Sequence, residues 1–227
     1  SIINSDQIAA GTRPEYTLEM IAKETHIDKT QLSKWKAAIM RKKQAIFYGP
    51  PGTGKTFIAS LMAKHLVGGT NGIRQLVQFH PAYTYEDFIQ GIRPETDADG
   101  NLRYPIVSGL FLDFCKKADA CRPNPSALII DEINRANLAR VFGELMYLLE
   151  YRDKEAPLAS GGKLKVPDNV LIIGTMNTAD RSIALVDHAL RRRFAFLQLY
   201  PIYNILHQYH KNNNTGFNTK PLVTTLE

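Results

Sequence analysis

A glycine-rich segment, Gly49-Pro50-Pro51-Gly52-Thr53-Gly54-Lys55-Thr56, constrains the fold of this chain more than any other feature. It matches the phosphate-binding pattern G-x-x-x-x-G-K-[ST]. The apolar run at 45–48 before it predicts a buried strand, and residues 57–66 after it predict an amphipathic helix that ends at Gly68-Gly69. Because a strand, a glycine loop and a helix in this order form a phosphate site, the sequence predicts that a nucleoside triphosphate binds here.

Each residue type in this segment has a chemical role. Glycines, which lack a Cβ, let successive backbone N–H groups turn toward a polyphosphate. The helix that follows directs its positive end at the same anion. We expect Lys55 to reach the β- and γ-phosphates and the hydroxyl of Thr56 to ligate Mg²⁺.

Apolar strands alternate with helical segments along the rest of the chain. This alternation predicts an α/β fold with a central parallel five-stranded sheet flanked by helices. The predicted strands are 45–48, 75–79, 127–130, 170–174 and 194–199. Later helices are predicted at 108–120, 138–149 and 182–190, and a hairpin between Arg93 and Pro105 is predicted to turn at Asp99-Gly100-Asn101.

Composition sets the broad class of the protein. With 227 residues, 44% of them hydrophobic, the chain can bury a full core as one domain. No apolar run approaches the length of a membrane span, and Cys115 and Cys121 are too few for a zinc site or a disulfide framework, so we expect a cytoplasmic protein with ordinary thiols. The chain opens on Ser1 rather than Met, so we expect it to be part of a longer protein.

Two short helices are predicted between Thr17 and Met40, joined near His26-Ile27-Asp28. They resemble a helix-turn-helix superficially, and the net charge of +6 is compatible with nucleic-acid contact without requiring it. The second helix runs almost directly into the first strand, so its apolar face is expected to pack against the nucleotide-binding domain. We therefore predict a lead-in at 1–40 and a nucleotide-binding domain at 41–200.

An apolar strand that ends in Asp131-Glu132 is the usual companion of such a glycine loop. A carboxylate at the end of this strand lies beside the phosphates, where Asp131 can hold Mg²⁺ directly or through water. Glu132 can then polarise the attacking water as a general base.

Asn177 ends the next strand, where a neutral amide can orient water and contact the γ-phosphate. Asp180 or Ser182 can cap the helix that follows. That helix closes with Arg191-Arg192-Arg193 just before the last strand. The arginines complement the helix dipole, but the γ-phosphate of a neighbouring subunit is their natural target, which predicts a ring or partial ring with active sites between subunits.

Taken together, these motifs resemble those of the AAA+ superfamily over residues 40–200. More narrowly, three blocks look like McrB-type GTPases, the motors of modified-cytosine-dependent DNA restriction. The blocks are F-H-P-A-Y-T-Y-E-D-F-I-Q-G from Phe79, D-E-I-N-R-A-N-L-A-R-V-F-G-E from Asp131, and M-N-T-A-D-R-S from Met176. The last is the most specific, because general AAA+ ATPases do not carry it.

The resemblance implies hexameric rings that hydrolyse GTP rather than ATP, with Mg²⁺, and an McrC-type nuclease partner that cuts DNA. By match to the family motif, Asn177 and Asp180 would set up the catalytic water. Arg181, with Arg192 or Arg193, would act across the subunit interface. The family's methylcytosine-reading domain is not recognisable in residues 1–40, and its helical lid is only begun in 201–227, so DNA specificity does not carry over.

Two other functions fit the phosphate motifs. One is an ATP-dependent remodelling protein of the MoxR type, which would differ in preferring ATP. The other is a DNA-binding regulator that reads DNA through Thr17 to Trp35 and uses the nucleotide as a switch.

Overall fold

The computed structural model describes residues 14–178 and 188–201, together with His210 and Gly216. Helices in these ranges are α1 (Leu18–Thr25), α2 (Lys29–Lys42), α3 (Lys55–Val67), α4 (Tyr85–Phe88), α5 (Leu110–Ala120), α6 (Leu138–Phe142), α7 (Leu145–Leu148) and α8 (His188–Arg193), with a 3₁₀ turn at Ile133–Arg135. The strands are β1 (Gln44–Gly49), β2 (Arg74–Gln78), β3 (Gln90–Ile92), β4 (Glu95–Thr96), β5 (Leu102–Arg103), β6 (Ile106–Ser108), β7 (Ser126–Asp131), β8 (Ala156–Pro157), β9 (Lys163–Leu164), β10 (Val170–Asn177) and β11 (Ala195–Gln198).

Five of these strands form one parallel sheet in the order β11-β1-β10-β7-β2. This confirms the predicted central sheet. Gly49 pairs with Asn177, and Gln78 pairs with Asp131. Because all five strands run the same way, the glycine loop, the acidic pair and the asparagine all follow strand ends at one edge of the sheet, where α/β folds bind ligands.

Apolar side chains cover both faces of the sheet, as the alternation of side chains along a strand requires. In β1, Phe47 joins the core on the face of α1, α2 and α3, whereas Ile46 joins the core on the opposite face. The second core contains a group of aromatic rings in which Phe88 stacks on Phe111 and Phe142, with centroids 5.1 and 5.4 Å apart. The sheet therefore has helices and loops packed on each side.

The helices α1 and α2 pack on the first of these faces. The left-handed residue His26 (φ 56°) follows α1, and the side chain of Asp28 accepts the backbone N–H of Thr30 at the start of α2. The ring of Trp35 meets Phe47 edge-on, with centroids 5.2 Å apart. The apolar side of α2 is thus buried against β1, the strand that leads into the glycine loop.

The predicted long helix over 138–149 is wrong. The segment forms two short helices, α6 and α7, separated at Gly143, which has φ 46° and ψ −122°. A Cβ at this glycine would lie 2.7 Å from Cε2 of Tyr85. The helical segment is interrupted here because this backbone conformation is not helical, and glycine suits the position because it tolerates the positive φ and leaves room for the Tyr85 ring.

A two-stranded ribbon extends between α4 and α5. β3 pairs with β6 and β4 pairs with β5, both antiparallel. The turn has Gly100 at φ 82° and a hydrogen bond from the Asp97 N–H to the Asn101 carbonyl at 3.0 Å. This confirms the predicted hairpin. Among the helices of the described residues, none combines the length and the apolar character that a membrane crossing requires.

Candidate active site

The glycine segment forms the loop between β1 and α3. β1 ends at Gly49 and α3 begins at Lys55, so residues 50–54 make the connection. Gly52 and Gly54 have φ of 80° and 76°, a left-handed backbone that favours glycine. A Cβ at either position would meet no atom within 4 Å, so backbone conformation rather than crowding calls for glycine. Backbone of this kind can turn its N–H groups toward an anion.

Polar contacts within the loop hold its shape. The Thr53 hydroxyl donates to the Pro50 carbonyl at 2.9 Å, and Nζ of Lys55 donates to the same carbonyl at 2.7 Å. Pro50 and Pro51 are exposed, whereas Lys55 is only 7% exposed. Burial lowers the pKa of Lys55, while the nearby carboxylates of Glu132 and Asp131 oppose that shift. A buried cation beside such a loop is suited to a polyphosphate, whose negative charge would offset the cost of its burial.

Thr56 and Asp131, the predicted metal ligands, lie together. The Thr56 hydroxyl donates to Oδ1 of Asp131 at 2.5 Å. Thr56 belongs to the first turn of α3 and Asp131 ends β7. A hydroxyl and a carboxylate are the hard oxygen donors that Mg²⁺ prefers, so the pair fits this ion directly or through water.

Glu132 and Asn177, both predicted catalytic residues, are also in contact. Nδ2 of Asn177 donates to Oε1 of Glu132 at 2.6 Å, and Oε2 of Glu132 lies 3.4 Å from Nε of Arg135. Glu132 itself has φ 53° and ψ 45°, a left-handed conformation that is strained for a residue with a side chain. Strain of this kind occurs at functional sites, and here it turns the chain sharply just after β7 ends.

The arginines at the end of α8 differ in their surroundings. The side chain of Arg193 is 12% exposed and donates to Oε2 of Glu150 at 2.6 Å. The side chain of Arg192 is 70% exposed and lies 4.0 Å from the same oxygen. Gln44 Nε2 donates to the Arg193 carbonyl at 3.0 Å, and Nζ of Lys42 donates to the Arg192 carbonyl.

These contacts locate the arginines relative to the glycine loop. Gln44 begins β1, whereas the loop follows the other end of that strand, roughly 16 Å away at the rise of a strand. The α8 arginines therefore lie beside the amino-terminal edge of the sheet, opposite their own phosphate loop. The predicted site residues Asp180 and Arg181 lie outside the described residues.

The sequence analysis missed Thr175, Arg135 and Glu150. Thr175 Oγ1 donates to Oδ1 of Asp131 at 2.5 Å and accepts the backbone N–H of Glu132 at 3.2 Å. Its signal in the sequence is a single hydroxyl residue within the apolar run of β10. Nothing in the sequence indicates the Glu150 contact, because its partner Arg193 is 43 residues further along the chain.

Comparisons with known proteins agree with this geometry. The family described as AAA domain (dynein-related subfamily) matches residues 44–194. The type IV methyl-directed restriction enzyme EcoKMcrB subunit of Escherichia coli K12 is 43% identical over 195 residues, covering 82% of this chain and 41% of that protein. The BsuMI type II restriction enzyme component YdiS of Bacillus subtilis is 31% identical over 192 residues, covering 68% of this chain and 56% of that protein.

A solved structure shows the same fold. It is a candidate ATPase from Cytophaga hutchinsonii, with a TM-score of 0.52 and 16% identity, covering 88% of this chain and 56% of that one. The chain spans about half the length of the curated relatives it matches. Its phosphate loop, its acidic strand end and the family match over most of its length agree: the chain belongs to the AAA domain family, in the dynein-related subfamily, and is a P-loop NTPase of the McrB type.

Proposed function

We propose that this chain is the NTP-hydrolysing motor of a DNA restriction complex and that it prefers GTP to ATP. Two relatives, at 43% and 31% identity, are components of restriction enzymes by name. The block from Met176 to Ser182, which resembles McrB-type GTPases rather than AAA+ ATPases in general, supports the preference for GTP.

The contact between Glu132 and Asn177 carries the proposal of hydrolysis. Glu132 is the general base that polarises the attacking water, and Asn177 directs its carboxylate through the 2.6 Å hydrogen bond to Oε1. Asn177 ends β10 beside Gly49, so its amide is close to the loop that receives the phosphates. The γ-phosphate and the water would meet between these two strand ends.

The remaining residues of this edge bind and neutralise the phosphates. The loop at 49–54 and Lys55 would hold the triphosphate, and Thr56 with Asp131, which are hydrogen-bonded to each other, would hold Mg²⁺. Bound there, the ion would supply neutralisation of phosphate charge. Asp180, by match to the family motif, would help to orient the water.

Subunits of the proposed motor form a hexameric ring in which each active site is completed by its neighbour. Arg192 supports this arrangement, because its side chain is exposed and lies near the sheet edge opposite its own loop. Arg192 and Arg181 would act on the triphosphate of the adjacent subunit, where an arginine finger accelerates hydrolysis by about 10³–10⁵-fold. An McrC-like nuclease subunit would cut DNA, which this chain would contact indirectly.

Steady-state phosphate release with GTP and with ATP tests the nucleotide preference. We expect a kcat/KM for GTP that is about tenfold or more above that for ATP. A clear preference for ATP would overturn the GTPase proposal and favour the MoxR-type remodelling function instead. A gene for a PD-(D/E)xK nuclease next to the gene for this chain is expected for a restriction complex.

A further inference from the structure

The buried hydroxyl of Thr175 contacts both Asp131, the proposed metal ligand, and Glu132, the proposed general base. Thr175 is 2% exposed and is the one polar residue between Val170 and Met176 in β10. An apolar residue at this position would suit the surrounding core better, since a buried hydroxyl must find hydrogen-bond partners. Its partners identify what the hydroxyl does.

The two hydrogen bonds of Thr175 have fixed directions. A backbone N–H can only donate, so Oγ1 accepts from the Glu132 amide at 3.2 Å. The single hydroxyl proton is then donated to Oδ1 of Asp131 at 2.5 Å. Thr175 therefore bonds to two consecutive residues, the predicted metal ligand and the predicted general base.

The two hydrogen bonds of Thr175 hold the carboxylate of Asp131 and the backbone of Glu132 in place. Oδ1 of Asp131 receives two hydroxyls, from Thr56 and from Thr175, which together fix the orientation of the carboxylate. The pairing of β10 with β7 ends at Ile130, so the Glu132 N–H lies beyond the backbone ladder. Thr175 supplies the partner for this N–H at the residue whose backbone is left-handed.

We propose that Thr175 is a positioning residue for hydrolysis. Its hydroxyl sets the carboxylate of Asp131 for the metal and the strained backbone of Glu132 for the attacking water. Because one side chain bonds to both residues, the position of the metal ligand Asp131 and the orientation of the general base Glu132 are fixed relative to each other. The proposal depends on NTP hydrolysis at this site. It does not depend on whether the nucleotide is GTP or ATP, or on a role in DNA restriction.

Replacement of Thr175 by valine and by serine tests this inference in the full chain. Thr175→Val keeps the shape and removes the hydroxyl, so we expect kcat to fall about 10–100-fold, as for lost outer partners of metal ligands. The Mg²⁺ concentration that gives half-maximal activity should rise, while nucleotide affinity measured without Mg²⁺ should stay at the parent value. Thr175→Ser restores the hydroxyl and should recover most of kcat and of the Mg²⁺ dependence.

Thr25→Val provides a matched control. The hydroxyl of Thr25 is also buried, donates to the Ile21 carbonyl at 2.8 Å and accepts the Ile27 N–H at 3.3 Å, but it lies in α1. This variant should lose thermal stability without a change in kcat or in Mg²⁺ dependence.

Three results would overturn the inference. The first is a parent-like kcat in Thr175→Val. The second is an equal loss of nucleotide binding and turnover in Thr175→Val together with a lowered Tm. The third is a Thr175→Ser protein that has the Tm of the parent but does not recover activity. If the parent itself hydrolyses neither nucleotide, the proposed function fails instead, and the Thr175 variants are then compared by their Mg²⁺-dependent nucleotide affinity. In that comparison, Thr175→Val must lose the Mg²⁺ effect that Thr175→Ser keeps, and equal affinities would reject the inference.

Discussion

The side-chain amide of Asn177 donates to Oε1 of Glu132 at 2.6 Å, from the end of β10 to the residue after β7. These two strands are neighbours in the sheet although the residues are 45 positions apart in the chain. The hydrogen bond holds the carboxylate of the proposed base in one direction without adding a second charge. It therefore links the two residues that act on water in the proposed reaction.

Replacing Glu132 with glutamine should separate binding from turnover. The amide keeps the size of the side chain but cannot take a proton, so we expect kcat to fall about 10²–10⁴-fold while nucleotide affinity stays near that of the parent. Single-turnover hydrolysis and equilibrium titration with a fluorescent nucleotide measure the two quantities. Glu95→Gln, the same change at an exposed position of β4, is the control. Equal loss of affinity and turnover would mean that Glu132 is structural.

Two changes at Asn177 distinguish loss of a donor from added charge. Asn177→Ala removes the hydrogen bond to Glu132, whereas Asn177→Asp also places a second carboxylate beside it. Because like charges repel at this distance, Asn177→Asp should be the slower variant, with kcat lowered about 10²-fold or more. Steady-state turnover at saturating nucleotide ranks the variants. If Asn177→Asp matched the parent, Asn177 would not direct the base.

Replacement by alanine should affect stability at Arg193 and hydrolysis at Arg192. Arg193 is mostly buried against Glu150, so Arg193→Ala should lower the free energy of unfolding by about 1–3 kcal/mol. Arg192 is exposed, so Arg192→Ala should leave the Tm unchanged and reduce hydrolysis. Thermal unfolding and turnover assays measure both effects.

Mixing experiments test whether either arginine acts on a neighbouring subunit. A mixture of Arg192→Ala with Lys55→Ala protein should regain activity, because each subunit supplies what the other lacks. Arg193→Ala is mixed with Lys55→Ala in the same way as the comparison. Recovery in neither mixture would argue against an arginine finger acting between subunits.

The sequence predicted the five parallel strands and the residues that end them because these depend on local patterns. An apolar strand followed by glycines or acids is readable within a few residues, and a parallel sheet then brings Gly49, Asp131 and Asn177 to the same edge. The closeness of Thr56 to Asp131 and of Glu132 to Asn177 follows from this topology. Their hydrogen-bond partners were not needed to predict them.

Contacts that depend on tertiary packing could not be predicted in this way. The periodic pattern over 138–149 indicates one helix, but Gly143 takes a non-helical backbone conformation and packs against the ring of Tyr85, more than 50 residues earlier. In the same way, a threonine within an apolar strand reads as part of the core. Only the position of β7 beside β10 shows that Thr175 reaches Asp131.

Lys55 is needed to bind nucleotide, but we expect it to lower the free energy of unfolding of the protein. Its pKa is lowered from 10.5 by burial, so the folded state disfavours the charged form. This penalty is fully present below the folded-state pKa and is lost as the pH rises toward 10.5, where the unfolded state also loses its proton. Stability of the parent should therefore increase with pH between those two values.

Lys55→Met removes the ammonium group while keeping much of the side chain. We expect the variant to be more stable than the parent at neutral pH, to lose the alkaline pH dependence, and to bind no nucleotide. Denaturant unfolding from about pH 7 to 10, without nucleotide, measures the first two effects. Lys23→Met, the same change at an exposed position of α1, should give neither. A less stable Lys55→Met protein would mean that the hydrogen bond from Nζ to the Pro50 carbonyl outweighs the cost of burying the charge.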